Sequence, residues 1–288
     1  MLLCHKSRAP ESAKPFKMSS YVITGASKGL GFEFLRQISS EPSNTVIGLV
    51  RDKYATEKRV KEELGGRTNV YILHGDLNSY ESLQKAAVDT AKITSGSLDY
   101  LIANASHISY WDSYDPIGAL VQDPKRLEEE LTTHYQTTVI GNINLYGLFI
   151  PLILKGHAKK VIAISTGLSD LDITTQLELE GSSLYAITKA GLNMMTAKFS
   201  AQYKKEGVLF MSVCPGVVDV GHNKDATPTQ MASWMTLMGK FKSYSPHFEG
   251  PTTPEKSVRD VISVWERASI EKGDAGHFVS HLGNKQWL

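Results

Sequence analysis

Short apolar runs alternate with stretches of helical spacing along almost the whole chain, and this alternation constrains the fold more than any other feature. The runs are YVITG (21–25), TVIGLV (45–50), NVYILHGDL (69–77), LDYLIANAS (98–106), KKVIAISTG (159–167) and VLFMSVCPG (208–216). Their cores are apolar at consecutive positions, as strands buried on both faces are. A parallel sheet with helices on both sides buries strands in that way. The intervening segments supply the helices. Leu30, Phe34, Leu35 and Ile38 recur at helical spacing after the first run, and a charged helix surrounds EKRVKEEL after the second. A long helix is expected over 124–154, another carries LYAITKAGLNMMTAKFSAQY, and a last one starts with Thr253 as N-cap and Pro254 in its first turn. The expected fold class is α/β, a single doubly wound parallel sheet of about seven strands with helices on both faces.

No repeat, low-complexity stretch or linker divides the chain, so residues 20–288 read as one domain. Residues 1–19 read as a disordered N-terminal extension: the apolar stretch is too short for a secretory signal, and Pro10 and Pro15 interrupt any targeting helix. No apolar run reaches the ~18 residues that span a bilayer. The 31 Lys and Arg nearly balance the 30 Asp and Glu, a formal net charge of +1, so no charged field argues for nucleic acid or a docking partner. Cys4 and Cys214, the only two cysteines, fit neither a structural disulfide nor a zinc site. No metal ligand is assigned, and a reducing, cytoplasmic setting is expected.

Two motifs carry chemistry. TGASKGLG, Thr24 to Gly31, follows a strand and opens a helix. Gly25 permits the sharp turn, Gly29 lets backbone approach a pyrophosphate, and Gly31 removes a side chain where helix meets sheet. The helix start offers free N–H groups and partial positive charge to the anion. A plain tight turn is the alternative. The second motif is LYAITKAG, with Tyr185 and Lys189 four apart on one helical face. An ammonium about 5 Å from a phenol, at an effective dielectric of about 20, is worth roughly 3 kcal/mol. That would lower the tyrosine pKa by roughly two units, toward general-acid work. A surface pair is the alternative.

With NAS at 104–106, Ser165 at the end of the fifth run, and PG at 215–216, these motifs resemble the short-chain dehydrogenase/reductase family, in the family's order along residues 19–288. The resemblance implies a Rossmann-like sheet and an NADP-dependent oxidoreductase. It implies a cofactor site of Gly25, Ser27, Lys28, Gly29, Leu30 and Gly31, then Arg51, Asp76, Leu77, Asn104 and Ala105, then Tyr185, Lys189, Pro215, Gly216 and Val218. Asp76 matches the family's adenine-side acid, with a helix N-cap as its alternative. Asn104 is expected to hold the ribose side of the cofactor or the neighbouring backbone. Arg51 ends the second run where a guanidinium holds a 2′-phosphate, and Lys28 adds a second cation. This favours NADP(H) over NAD, with Asp52 read as a ribose acid on the other view.

The implied chemistry is reversible reduction of a ketone or aldehyde carbonyl to an alcohol. Ser165 holds the carbonyl oxygen, Tyr185 gives the proton and Lys189 tunes it. Thr138 stands where the family has an asparagine that holds a relay water, with Asn142 and Asn144 facing elsewhere. Val220 stands where the family has a threonine for the nicotinamide amide, leaving that task to backbone near Val218. Ser106 replaces a glycine. The segment DLDITTQLELEG lengthens the interval from Ser165 to Tyr185 and is expected to shape the pocket. His107, Tyr110 and Trp111 after the fourth run, with Trp234 and Met235 in a Met-rich helix after the sixth, form the expected substrate wall. That wall suits a medium-sized or bulky apolar ketone, such as a secondary-metabolite intermediate. A homodimer or homotetramer is implied by the resemblance. A protein that binds NADP without redox turnover, either a dehydratase, isomerase or cyclase or a cofactor sensor, is the alternative function.

Overall fold

The computed structural model describes residues 18–288. Seven strands form one parallel sheet: β1 (Ser20–Thr24), β2 (Thr45–Val50), β3 (Val70–His74), β4 (Tyr100–Ala103), β5 (Lys160–Ile164), β6 (Leu209–Cys214) and β7 (Phe278–Ser280). Their order is β3-β2-β1-β4-β5-β6-β7. Consecutive strand residues divide between two cores. Val22, Ile47, Leu49, Leu101, Val161 and Phe210 enter one, while Ile23, Val46, Val50, Ile102, Ile162 and Met211 enter the other. A period of two with both halves apolar is what a sheet covered on both faces requires.

Helices α1 (Gly29–Ile38), α2 (Lys53–Leu64) and α10 (Pro254–Arg267) cover one face, through Phe34, Leu35, Val60, Val261 and Trp265. Helices α3 (Tyr80–Ile93), α6 (Gly141–Ile153) and α8 (Ser183–Tyr203) cover the other, through Leu83, Leu145, Tyr146, Phe149, Ile153 and Leu192. Each such side chain contributes about 1.5–3 kcal/mol on full burial. The apolar run of α6 is therefore consumed largely inside the chain. Strand order reverses between β1 and β4, which opens a crevice at the carboxyl ends of these strands, where doubly wound sheets bind ligands.

The long helix expected over 124–154 is interrupted. A short α4 (Ile117–Leu120) precedes α5 (Pro124–Tyr135), and a π-helical turn at Gln136–Ile140 joins α5 to α6. Such turns cluster at functional sites, and this one contains Thr138. The lengthened interval before Tyr185 forms α7 (Leu171–Leu177), capped by Asp170, and α9 (Pro228–Tyr244) is the Met-rich helix. Thr253 caps α10 as expected, accepting from Lys256 N. Of the residues read as a disordered extension, all but Met18 and Ser19 lie outside the described residues, as does Cys4.

Candidate active site

The glycine loop forms a cradle that excludes side chains. Gly25 and Gly29 have φ of +67° and +55°, a region open to glycine. A Cβ on Gly31 would lie 2.1 Å from the Gly25 carbonyl oxygen and 2.6 Å from Asn104 Nδ2. Gly31 is thus required by the loop's own backbone, a closer constraint than helix–sheet packing. Lys28 occupies the N-cap of α1 in extended backbone; no side chain caps the helix and no acid lies in its first turn. Its free N–H groups and dipole stay available, and Ser27 and Leu30 flank them half-buried. Asn104 Nδ2 donates to the Thr24 carbonyl at 3.0 Å, and Thr24 Oγ1 accepts from the backbone N–H groups of Asn104 and Ala105, both at 3.0 Å. Of the two roles expected for Asn104, the side chain takes the backbone one. Arg59, from the charged run EKRVKEEL, braces the loop by donating to the Ser27 carbonyl at 2.9 Å while its guanidinium lies 3.8 Å over the Phe32 ring.

Lys28 and Arg51 are exposed, and neither forms an ion pair among the described residues. Asp52 instead N-caps α2, accepting from Ala55 N at 2.9 Å. Its carboxylate is engaged, which weakens the view of it as a ribose acid. The N-cap role weighed for Asp76 falls to Ser79, which accepts from Ser82 N. Asp76 lies three residues before the Ser79 cap, and its carboxylate accepts from Asn78 N at 3.0 Å instead. Leu77 is buried beneath the π-helical turn: a Cβ on Gly141 would meet its carbonyl at 2.4 Å. Past β6, Pro215 accepts from Ser257 Oγ at 2.7 Å, and Gly216 has φ +79°. Thr252 bonds to Val217 O and Asp219 N, so the peptide groups of Val218 point away from it and make no backbone bond. Val220 faces the glycine loop, with Cγ1 3.8 Å from where a Gly29 Cβ would be.

Lys189 and Tyr185 meet at the carboxyl end of β5, where Ile164 is next in chain to Ser165. Ser165 is 2% exposed and begins the loop after β5. Lys189 is 1% exposed; its Nζ donates to the Ile164 carbonyl at 2.6 Å and lies 5.6 Å from the centre of the Tyr185 ring. The expected helical adjacency is present, but the expected electrostatics differ. Burial, with the nearby Cys214, raises the Tyr185 phenol above its ordinary value, and burial lowers Lys189 to about 7. Loss of water dominates both shifts. Thr138 is wholly buried, with Oγ1 3.0 Å from Ser106 Oγ, and its carbonyl accepts from Asn142 Nδ2 at 2.8 Å. Asn142 is therefore tied to the Thr138 turn through its backbone.

The family's short chain dehydrogenase profile matches residues 20–231. The chain belongs to the short-chain dehydrogenase family. A short chain dehydrogenase of Hypocrea virens, virK, is 59% identical over 271 residues, covering 94% of this chain and all of the relative. The short-chain dehydrogenase/reductase iacC of Pestalotiopsis fici is 57% identical over 272 residues, again covering 94% of this chain and all of the relative. In fold, the chain is similar to the NADPH-bound carbonyl reductase from chicken fatty liver, with a TM-score of 0.74, 20% identity and coverage of 93% of this chain and 98% of the other. It is thus an oxidoreductase of this family, and the bare helix start, the glycine cradle and the free Val218 peptide fit the anionic dinucleotide of a nicotinamide cofactor.

In this short-chain dehydrogenase the helix bearing Tyr185 starts on a residue the sequence does not announce. Ser182, at the N-cap of α8, has φ +55° and no capping bond from its side chain. Asp112, 1% exposed, caps instead: its Oδ2 accepts from Leu184 N at 2.9 Å and Tyr185 N at 3.2 Å, and its carbonyl from Ser182 N at 2.8 Å. Behind Ser165, Ser169 Oγ lies at 3.5 Å and accepts from Asn193 Nδ2 at 2.9 Å. Trp287, 3% exposed, packs against Gly167 and closes the underside of that loop. Of the expected substrate wall, Tyr110 stacks on His222 at 4.6 Å, joining the loops after β4 and β6. Met235 is 63% exposed and Trp234 half-buried on α9. Trp111 turns to α5, where Arg126 lies 4.8 Å over its ring. His107 also faces α5, 3.7 Å from Glu130. No helix among the described residues is long and apolar enough to cross a membrane.

Proposed function

We propose that this protein is an NADPH-dependent carbonyl reductase, converting the ketone or aldehyde of a medium-sized or bulky apolar substrate to an alcohol. The observation that carries the reading is the buried Lys189 amine, 2.6 Å from the Ile164 carbonyl and 5.6 Å from the Tyr185 ring, next in chain to Ser165. Gly25, Gly29, Gly31 and the Val218 peptide would hold the cofactor, with Asn104 bracing the glycine loop through Thr24, and Lys28 and Arg51 would hold its 2′-phosphate. Bound NADPH would supply the hydride. Ser165 Oγ donates a hydrogen bond to the substrate carbonyl oxygen and stabilises charge there. Tyr185, protonated at neutral pH like any phenol, gives its proton to that oxygen. The Lys189 amine, titrating near neutrality, exchanges a proton within reach of the phenol. Met231, Met235 and Tyr110, all exposed, offer an adaptable apolar wall. Exposed Ile140, Ile143, Ile187 and Met194 on the outer surfaces of the π-helical turn, α6 and α8 suit a homodimer or homotetramer, and the free thiol of Cys214 suits a reducing cytoplasmic setting.

One observation favours a second reading. The Thr138 hydroxyl is engaged by Ser106 rather than open to a relay water, so proton resupply to Lys189 is narrowed. On that reading the site binds NADP and performs dehydration, isomerisation or cyclisation without redox turnover. A panel of aryl and cyclic ketones with NADPH and NADH side by side separates the two. Oxidation of NADPH by at least one ketone, faster than of NADH, is expected; tight NADPH binding with no oxidation across the panel contradicts the reductase.

A further inference from the structure

A cluster of metal-ligating side chains lies between the loop after β4 and α5. His107 from the loop, with Glu130 and His134 from α5, each offer one donor atom, and these atoms lie within 4.8 Å of one another. Glu130 and His134 are four apart and share a helix face. The two imidazoles meet edge-on with centres 4.6 Å apart, and His107 Nε2 is 3.7 Å from Glu130 Oε2. His134 is wholly buried, and neither of its ring nitrogens has a hydrogen-bond partner among the described residues. An unserved buried polar atom costs about 1–3 kcal/mol, so a buried imidazole with both nitrogens unserved points to a missing ligand. Asp112 Oδ1, also buried and unserved, lies 3.9 Å from His134 Nε2. No lysine or arginine pairs with Glu130 or Asp112 among the described residues.

We propose that His107, Glu130 and His134 bind one divalent transition-metal ion of the zinc class. Two imidazoles and one carboxylate are a zinc donor set with a fourth position left for water or another ligand. Magnesium and calcium call for all-oxygen sites instead. A tetrahedral ion with bonds of about 2.0–2.1 Å sets its donors about 3.3 Å apart, so donor pairs that lie up to 4.8 Å apart close by up to about 1.5 Å. His107 and Glu130, with side chains 34% and 23% exposed, have room to move onto the fixed His134. Asp112 provides the neighbouring carboxylate that orients a metal-bound imidazole from outside. Through Asp112, which caps α8, the ion would pin the loop after β4 to α5 and to the start of the helix that carries Tyr185.

The test uses the untagged full chain, loaded with zinc and dialysed against metal-free buffer, with metal counted by plasma mass spectrometry and cobalt titrated by visible absorbance. His107→Asn and Glu130→Gln change partly exposed side chains, so folding is checked by circular dichroism and both variants are read in the same way. One zinc per wild-type chain, a tetrahedral cobalt spectrum, and at least ~tenfold weaker affinity in both variants are expected. Less than about a tenth of an equivalent in wild type, or wild-type affinity in either variant, overturns the proposal. Neither readout depends on turnover or on the reductase reading.

Discussion

The two walls of the cleft are built differently. The glycine-loop wall is fixed by backbone: Gly31 abuts the Gly25 carbonyl, and Thr24 ties Asn104 and Ala105 to β1. The opposite wall, made by the loop after β4 with the segment after β6, is held by side chains: Tyr110 on His222, Tyr114 Oη donating to Asn223, and Asp112 on the start of α8. The first wall leaves no room for a methyl at Gly31, whereas the shape of the second depends on which side chains meet there. A fixed cofactor site facing an adaptable substrate site is the division of labour this teaches.

The sharpest way to break the comparison is Gly31→Ala. A methyl 2.1 Å from a carbonyl oxygen forces the loop to move, and overpacking of this kind costs about 1–3 kcal/mol or more. NADPH affinity should fall at least ~tenfold by fluorescence titration, while Met235→Ala on the other wall leaves it unchanged. Equal sensitivity of the two walls would remove the distinction. Next, Asp112→Ala frees two N–H groups of α8 and should cost about 1–2 kcal/mol in thermal or denaturant unfolding. Turnover should fall with NADPH affinity intact; loss of cofactor binding instead would show that the walls are not separable. Arg51→Asp should weaken NADPH by about tenfold and spare NADH, measured as the ratio of the two dissociation constants.

The smallest effect is in pH. Lys189 has a folded pKa of about 7 against the ordinary 10.5, so above pH 7 the unfolded chain binds a proton that the folded chain does not. Stability from this group therefore rises with pH from about 7. Tyr185 and Cys214, both raised, act in the opposite sense only at higher pH. Denaturant unfolding of wild type against Lys189→Met between about pH 7 and 8.5 should show the slope in wild type alone. Parallel curves would mean that Lys189 is not held in a site that disfavours its charge.

What the sequence discloses follows the same division. The sheet, the glycine loop and the Tyr185–Lys189 helix are legible because strand burial, positive φ and helical spacing are local properties of a few consecutive residues. Asp112 is not, because its partners are N–H groups 72 and 73 positions away. His134 and Trp287 are hidden for the same reason: nothing nearby in sequence marks them as buried beside the site. Asp76 fits both an adenine-side acid and a helix cap in sequence, and the structure gives the cap to Ser79, which directly precedes α3. Spacing alone does not give the direction of the Tyr185 shift, because only the fold sets the loss of water that raises it.

Tyr185→Phe tests the central claim most directly, with NADPH binding and ketone turnover measured on the same sample. The account predicts unchanged NADPH affinity and turnover lowered by about 10²–10⁴-fold. Turnover at the wild-type rate with cofactor bound would contradict it.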